Sequence, residues 1–284
     1  MNNGKVDKLF GGGYSGNIQG NTTITINSGS VKEIFGGGYA GSIGGDTNIF
    51  VKSGNFENIF GGCDQSYVTG NTQVKVGNEE DLGVTVTGLV YGGGRGIIET
   101  GKQDASDYIT VYKTSTVIIQ GLNTQVKNYG STKLGKVAGN VDVTFRDYKV
   151  DNPTAKYKTM NGIDRATTVT FDNSYVLLEN KDENGNLEGI KAIENLIIPE
   201  ESGLKISAEG EITGNFVGGG ELYLDSAVCL TVKGDITGST RLVLNPKLIE
   251  DVSKKVGGIE NPYMRVLGNS EATNEEKKAQ SLNK

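Results

Sequence analysis

Two groups of side chains in this sequence have the types and spacings to do chemistry. The first joins carboxylates to arginines: Asp142 and Arg146, then Asp147, Asp164 and Arg165. Asp142, Thr144 and Arg146 alternate, so a strand would carry all three on one outer face. Carboxylates beside a guanidinium can ionise or protonate sugar atoms, as the β-helical polysaccharide lyases and glycoside hydrolases do. Asp64 and the pair Asp104 and Asp107 are smaller loci of the same kind. The competing reading is a solvated face with ordinary salt bridges, which uses the same residues.

The second group is aromatic. Phe10, Phe35, Phe60 and Tyr91 recur in one sequence context, with Tyr14 and Tyr39 close behind the first two. Facing outward, they would form a binding strip for sugar faces or a partner protein. Facing inward, they would be core ladders. Adjacent pairs such as Leu9-Phe10 and Ile34-Phe35 put one residue on each side of a strand, so the sequence leaves both open.

Composition removes other chemistries. The chain of 284 residues has no histidine, so Ser-His and Cys-His dyads, histidine metal ligands and histidine pH switches are excluded. The Gly-Gly-Gly runs are not phosphate cradles, because no Gly-Lys-Ser/Thr opening a helix follows them. Calcium-binding β-rolls need a Gly-Gly-x-Gly-x-Asp nonapeptide that is missing, so neither a metal nor a cofactor is expected. The net charge of −6 with scattered Lys and Arg argues against nucleic acid. No apolar run reaches membrane-spanning length, which argues against membrane insertion. The opening Met1-Asn2-Asn3-Gly4 is polar and starts just before the first repeat, reading as an excised fragment with an added Met. Cys63 and Cys229 would lie six or seven coils apart, about 30 Å at about 4.8 Å per coil, so two free thiols are expected.

The elements that position these groups follow from a repeat. Gly20-Asn21-Thr22-Thr23-Ile24-Thr25-Ile26 recurs at Gly45 and Gly70, at intervals of 25 residues. Leu9-Phe10-Gly11-Gly12-Gly13-Tyr14 recurs at Ile34 and Ile59 with the same interval, and again at Val90 after a longer one. The acidic stretch Asn78-Glu79-Glu80-Asp81 in that longer interval reads as a loop. A third element is Ile18, Ile43 and Val68. Alternating β-branched residues give half-buried strands, and the glycines mark corners. One coil cannot bury its inner face alone, but coils stacked in parallel can. The files Ile24-Ile49-Val74 and Ile26-Val51-Val76 would then be interior, and Asn21-Asp46-Asn71 a corner file bonding neighbouring backbone. An antiparallel sandwich also has short strands and glycine turns, but it has no reason to repeat two motifs at one constant interval.

The expected class is therefore all-β, a single-stranded parallel β-helix (β-solenoid) with coils of about 25 residues. The solenoid would span 1–265: regular repeats over 1–100, irregular coils with insertions over 101–190, and further coils over 191–250. A solvated tail or linker would follow over 266–284. Gly139–Phe145 and Thr167–Phe171 read as strands, as do Leu222–Leu224 and Leu242–Leu244. Residues 187–196 read as a helical turn or another irregular coil. Leu204 and Ile212 recur as Leu230 and Ile236, at intervals of 26 and 24. Asp151-Asn152-Pro153 and Lys181–Asn186 are turn-rich breaks.

The pairing of Ile-Phe-Gly-Gly-Gly-Tyr-x-Gly with Gly-Asn/Asp-Thr-x-Ile-x-Ile resembles the glycine-rich β-helical repeat regions of large Gram-positive, Clostridia-like cell-surface proteins of the adhesin type. Ile212–Leu222 is similar to a more C-terminal element of such proteins. The likeness covers about residues 9–95 and 203–245. It implies an extracellular place on a bacterial cell surface, as part of a larger secreted protein. It also implies a non-enzymatic role: a rigid spacer about 50 Å long, presenting side faces and loops to a host or matrix glycan or protein. No Leu-Pro-x-Thr-Gly sorting signal is present. The alternative is a β-helical lyase or hydrolase acting on an extracellular glycan. End-to-end self-association through unpaired coil ends is a further expectation.

Overall fold

The computed structural model describes residues 1–179, 190–224, 230–244 and 264–266. All regular structure among them is β-strand, and every printed strand pairing is parallel. The chain divides into two compact units, Met1–Arg146 and Asp147–Lys284.

In the first unit one ladder runs through β1 (Lys5–Phe10), β3 (Ser30–Phe35), β5 (Gly54–Phe60), β7 (Val84–Tyr91) and β10 (Thr124–Tyr129). A second runs through β2 (Thr22–Ile26), β4 (Thr47–Val51), β6 (Thr72–Val76), β9 (Ser115–Gln120) and β12 (Val141–Arg146). A third is thinner: single bridges join Ile18, Ile43, Val68 and Val111, and β8 (Ile109–Val111) pairs with β11 (Lys136–Val137). Each strand thus pairs with its sequence equivalent in the next coil, a solenoid-like arrangement. The two expected interior files are continuous and buried. Ile24, Ile49 and Val74 lead on to Val117 and Val143, and Ile26, Val51 and Val76 to Ile119 and Phe145. Each such side chain contributes about 1.5–3 kcal/mol of burial.

Three contacts explain the repeated motifs. The Thr of Gly-Asx-Thr is buried, and its hydroxyl donates to the first glycine carbonyl of the Gly-Gly-Gly run: Thr22 to Gly36, Thr47 to Gly61 and Thr72 to Gly92, at 2.5, 2.6 and 2.6 Å. The glycine itself is fixed by crowding, since a Cβ on Gly36 would fall 2.2 Å from the Gly61 carbonyl oxygen. The expected corner file is also present. Asp46 N–H donates to Asn21 Oδ1 at 2.8 Å and Asn71 N–H to Asp46 Oδ1 at 2.7 Å. The acidic insertion is a loop between β6 and β7. Its Asp81 carboxylate accepts from Asn123 N–H at 2.8 Å and from Asn123 Nδ2 at 3.0 Å, tying it to the next coil.

In the second unit β13 (Lys158–Met160), β15 (Tyr175–Leu178), β17 (Gly203–Ile206), β20 (Glu221–Leu224) and β23 (Arg241–Leu244) form one ladder. The other starts with β14 (Gly162–Asp172) and β16 (Ile190–Ile198). It continues through β18 (Gly210–Ile212) and β19 (Phe216–Gly218), then β21 (Leu230–Val232), β22 (Ile236–Gly238) and β24 (Met264–Val266). Two expectations are corrected here. Leu204 pairs with Leu222, not with Leu230, and Ile212 with Val232, not with Ile236. The true interval is visible in the corner file, where Asn215 N–H donates to Asn195 Oδ1 and Asp235 N–H to Asn215 Oδ1, each across 20 residues. The helical option for 187–196 gives way over its described part to β16, because Leu196 and Ile198 bury against a parallel neighbour. Lys181–Asn186, Cys229 and the expected tail beyond Val266 lie outside the described residues.

Candidate functional site

The position after each Gly-Gly-Gly or Gly-Gly-Cys stretch forms a column on the first unit. Its members are Tyr14 and Tyr39, directly after Gly-Gly-Gly, then Asp64 after Gly61-Gly62-Cys63, and Arg95. Backbone bonds between coils fix it: Tyr39 N–H to Gly13 O at 3.1 Å, Asp64 N–H to Gly38 O at 3.0 Å, and Arg95 N–H to Cys63 O at 3.1 Å. Rigid, regular backbone therefore decides where these four side chains start.

Arg95 then reaches back along the column. Its Nε lies 3.3 Å from Asp64 Oδ1, and its terminal nitrogen pairs with Glu33 on β3. Lys8 on β1 closes the group, with Nζ 2.9 Å from Glu33 Oε2. The Arg95 guanidinium carbon sits 4.9 and 5.3 Å from the Phe35 and Phe60 ring centroids, which are 4.8 Å apart. Lying nearly equidistant from both, it covers their edges. The Asp64 side chain is only 3% exposed, against 20% for Glu33 and 32% for Arg95. Burial pushes the Asp64 carboxyl above its usual range, although Arg95 and Lys8 pull it the other way. Two cations and two carboxylates leave the corner near neutral, with Arg95 already engaged by both acids.

The aromatic set divides. Phe35, Phe60 and Tyr91 are buried, which corrects their place in an exposed binding strip. The rings of Phe10, Phe35 and Phe60 stack on one another at 5.1 and 4.8 Å, so ring faces that could meet a sugar meet the next coil instead. Tyr91 turns its hydroxyl to Gly135 O at 2.7 Å. Phe10 and Tyr39 are half-buried and Tyr14 is 75% exposed. Tyr14 and Tyr39 stack at 4.7 Å, and Tyr39 OH accepts from Gln65 Nε2 at 3.0 Å. The surface that survives is Tyr14, Tyr39, Gln65 and the Lys8–Glu33–Arg95–Asp64 corner. Arg95, Glu33, Lys8 and Gln65 were not singled out from sequence. The signal for Arg95 was its place in the fourth Gly-Gly-Gly copy, one column with Tyr14, Tyr39 and Asp64. Tyr67 and Tyr112, exposed and edge-to-face at 5.4 Å, are a second aromatic group that sequence reading passed over.

The carboxylate and arginine candidates fall in different units. Asp142 and Arg146 lie on the outer face of β12, half-buried, as their alternation requires. Asp147, Asp164 and Arg165 belong to the second unit. Asp147 accepts from Asn173 Nδ2 at 2.6 Å, and Asp164 and Arg165 lie half-buried on β14. Asp107 is an exposed partner of Lys102 and Lys136. The second unit has a polar cluster of its own on Glu221, which accepts from Lys156 Nζ at 3.3 Å, from Tyr157 OH at 3.1 Å and from Arg241. Lys156 Nζ also lies 3.7 Å from the Tyr175 ring centroid. Burial and the adjoining Glu221 hold the Tyr157 phenol well above its usual range. Among the described residues no three carboxylate or thiol side chains are grouped as metal ligands.

No protein-family model, curated protein or solved structure matches this chain.

Proposed function

We propose that the chain is a single-stranded parallel β-helix serving as a non-enzymatic structural and adhesive module of a bacterial cell surface. In this reading it is a rigid spacer that offers a side face to a host or matrix glycan or protein. The observation that carries the proposal is the Tyr14–Tyr39–Asp64–Arg95 column. Coil-to-coil backbone bonds preorganise it, it is half-open to solvent, and its charges are already balanced. Preorganised side chains bind without an ordering cost, and tyrosines with mixed polar groups suit glycan or protein surfaces. The resemblance of the glycine-rich motifs to Gram-positive surface repeats supports the extracellular placement.

One observation favours the glycan-cleaving alternative. Asp64 is a buried carboxyl with a raised pKa beside a second carboxylate and an arginine, the environment of a general acid. The deciding experiment is a glycan-array screen of the purified chain, with release of reducing ends or unsaturated products from the same sugars. Binding without turnover, lost in Tyr14→Ala and Arg95→Ala, supports the adhesive reading. Turnover lost in Asp64→Asn overturns it. Neither signal leaves a spacer whose ligand is a protein or that has none.

A further inference from the structure

We propose that the leading face of the first coil is a docking surface for one further coil of the same repeat, stacked in parallel and joined in line. This face comprises β1, Ile18 and β2. The inference needs only the parallel ladders, not the adhesive reading.

The argument starts from the glycine that precedes each corner Asx. A Cβ on Gly45 would fall 2.2 Å from Asn21 Oδ1, and one on Gly70 would fall 2.3 Å from Asp46 Oδ1. The second unit repeats the rule with its own interval: Gly214 would meet Asn195 Oδ1 at 2.7 Å and Gly234 would meet Asn215 Oδ1 at 2.5 Å. In all four cases the preceding coil's Asx makes the glycine necessary. Gly20 holds the same position before Asn21, yet nothing lies within 4 Å of its would-be Cβ, and its φ is not positive. Gly16 is similar: its equivalent Gly41 is crowded to 2.2 Å by the Gly16 carbonyl oxygen, while Gly16 faces open space. The first coil therefore carries two glycines that its own contacts do not require and that a preceding coil would.

The aromatic file points the same way. Phe35 is enclosed between the rings of Phe10 and Phe60, whereas Phe10 stacks on Phe35 alone and stays half-exposed. The occupant is thereby specified in chemistry. It carries an Asn or Asp whose side-chain oxygen reaches the Gly20–Asn21 backbone and an aromatic ring to cover Phe10. It also needs a glycine opposite the Gly11 carbonyl, since a Cβ on Gly11 itself would meet the Gly36 carbonyl at 2.2 Å. Parallel register favours a coil running directly into Lys5. A second copy related by a two-fold axis would bring its strands in antiparallel.

The test inserts a copy of the coil Ser30–Gly54 between Gly4 and Lys5, and compares parent and extended chains by thermal melting and local hydrogen exchange. The expected result is slower exchange of amides in Lys5–Phe10 and Thr22–Ile26 and a higher melting temperature. Gly20→Leu should leave the parent's melting temperature unchanged and remove both gains from the extended chain. Unaltered exchange of those two strands in a folded extended chain would overturn the proposal, as would a parent chain destabilised by Gly20→Leu. Concentration-dependent dimerisation of the parent, abolished by Gly20→Leu, would assign the face to a second copy and overturn the in-line source.

Discussion

The two units solve one problem with different intervals. In the first, corner Asx side chains bond the next coil across 25 residues, and in the second across 20. The glycine before the Asx, the Asx-to-backbone bond and the in-register apolar file are common to both. What differs is the residue after the Asx. In the first unit it is a buried Thr bonded to a glycine carbonyl, as Thr47 to Gly61. In the second it is Leu196, Phe216 or Ile236. The corner bond therefore sets how coils stack without setting how long a coil is, and the position after it can be secured by a hydrogen bond or by apolar burial.

The largest effect expected from breaking this comparison is at the shared glycine contacts. Gly61→Val drives a side chain onto the Gly92 carbonyl, 2.3 Å from a would-be Cβ, and Gly220→Val onto that of Ser202, at 2.2 Å. Each should lose about 3 kcal/mol or more in urea unfolding. Tolerance in either unit would mean that backbone contact does not fix its coil spacing.

Thr47→Val tests the difference between the units. Removing the buried hydroxyl takes a donor from the Gly61 carbonyl and should cost about 1–3 kcal/mol. A neutral result would make the Thr a packing residue like Phe216. The corner bonds should behave alike in both units. Asp46→Ala and Asn215→Ala should each cost about 1 kcal/mol, read as shifts in the urea midpoint. Unequal losses would break the claim of a common corner.

The smallest effect is electrostatic. Folding raises the Asp64 pKa, so the folded state holds that proton more tightly than the unfolded chain does. Relative to Asp64→Asn, the parent should be most stable below the unfolded carboxylate value of about 3.9, and should lose that advantage as pH rises through the raised folded value. Parallel pH–stability curves for the two proteins would remove Asp64 as a perturbed group. Cys63 supplies a chemical check on the same interior, because burial pushes its thiol up to about 11. It should resist thiol reagents at mildly alkaline pH until the chain is unfolded.

Sequence alone determined the all-β class, the parallel stacking at 25 residues in the first unit, the two interior files and the Asn21–Asp46–Asn71 corner. Those contacts join residues at one fixed offset, so the repeat displays them directly. The second unit was misread because apolar matches at 26 and 24 residues outweighed a weaker Asx signal at 20, and β-strands of similar composition match at several offsets. Only the tertiary structure decided that Phe35 and Phe60 stack under Arg95 while Tyr14 stays open. Whether a ring or an acid at a corner is exposed depends on what the next coil places over it, and that neighbour is set by stacking rather than by the residue itself.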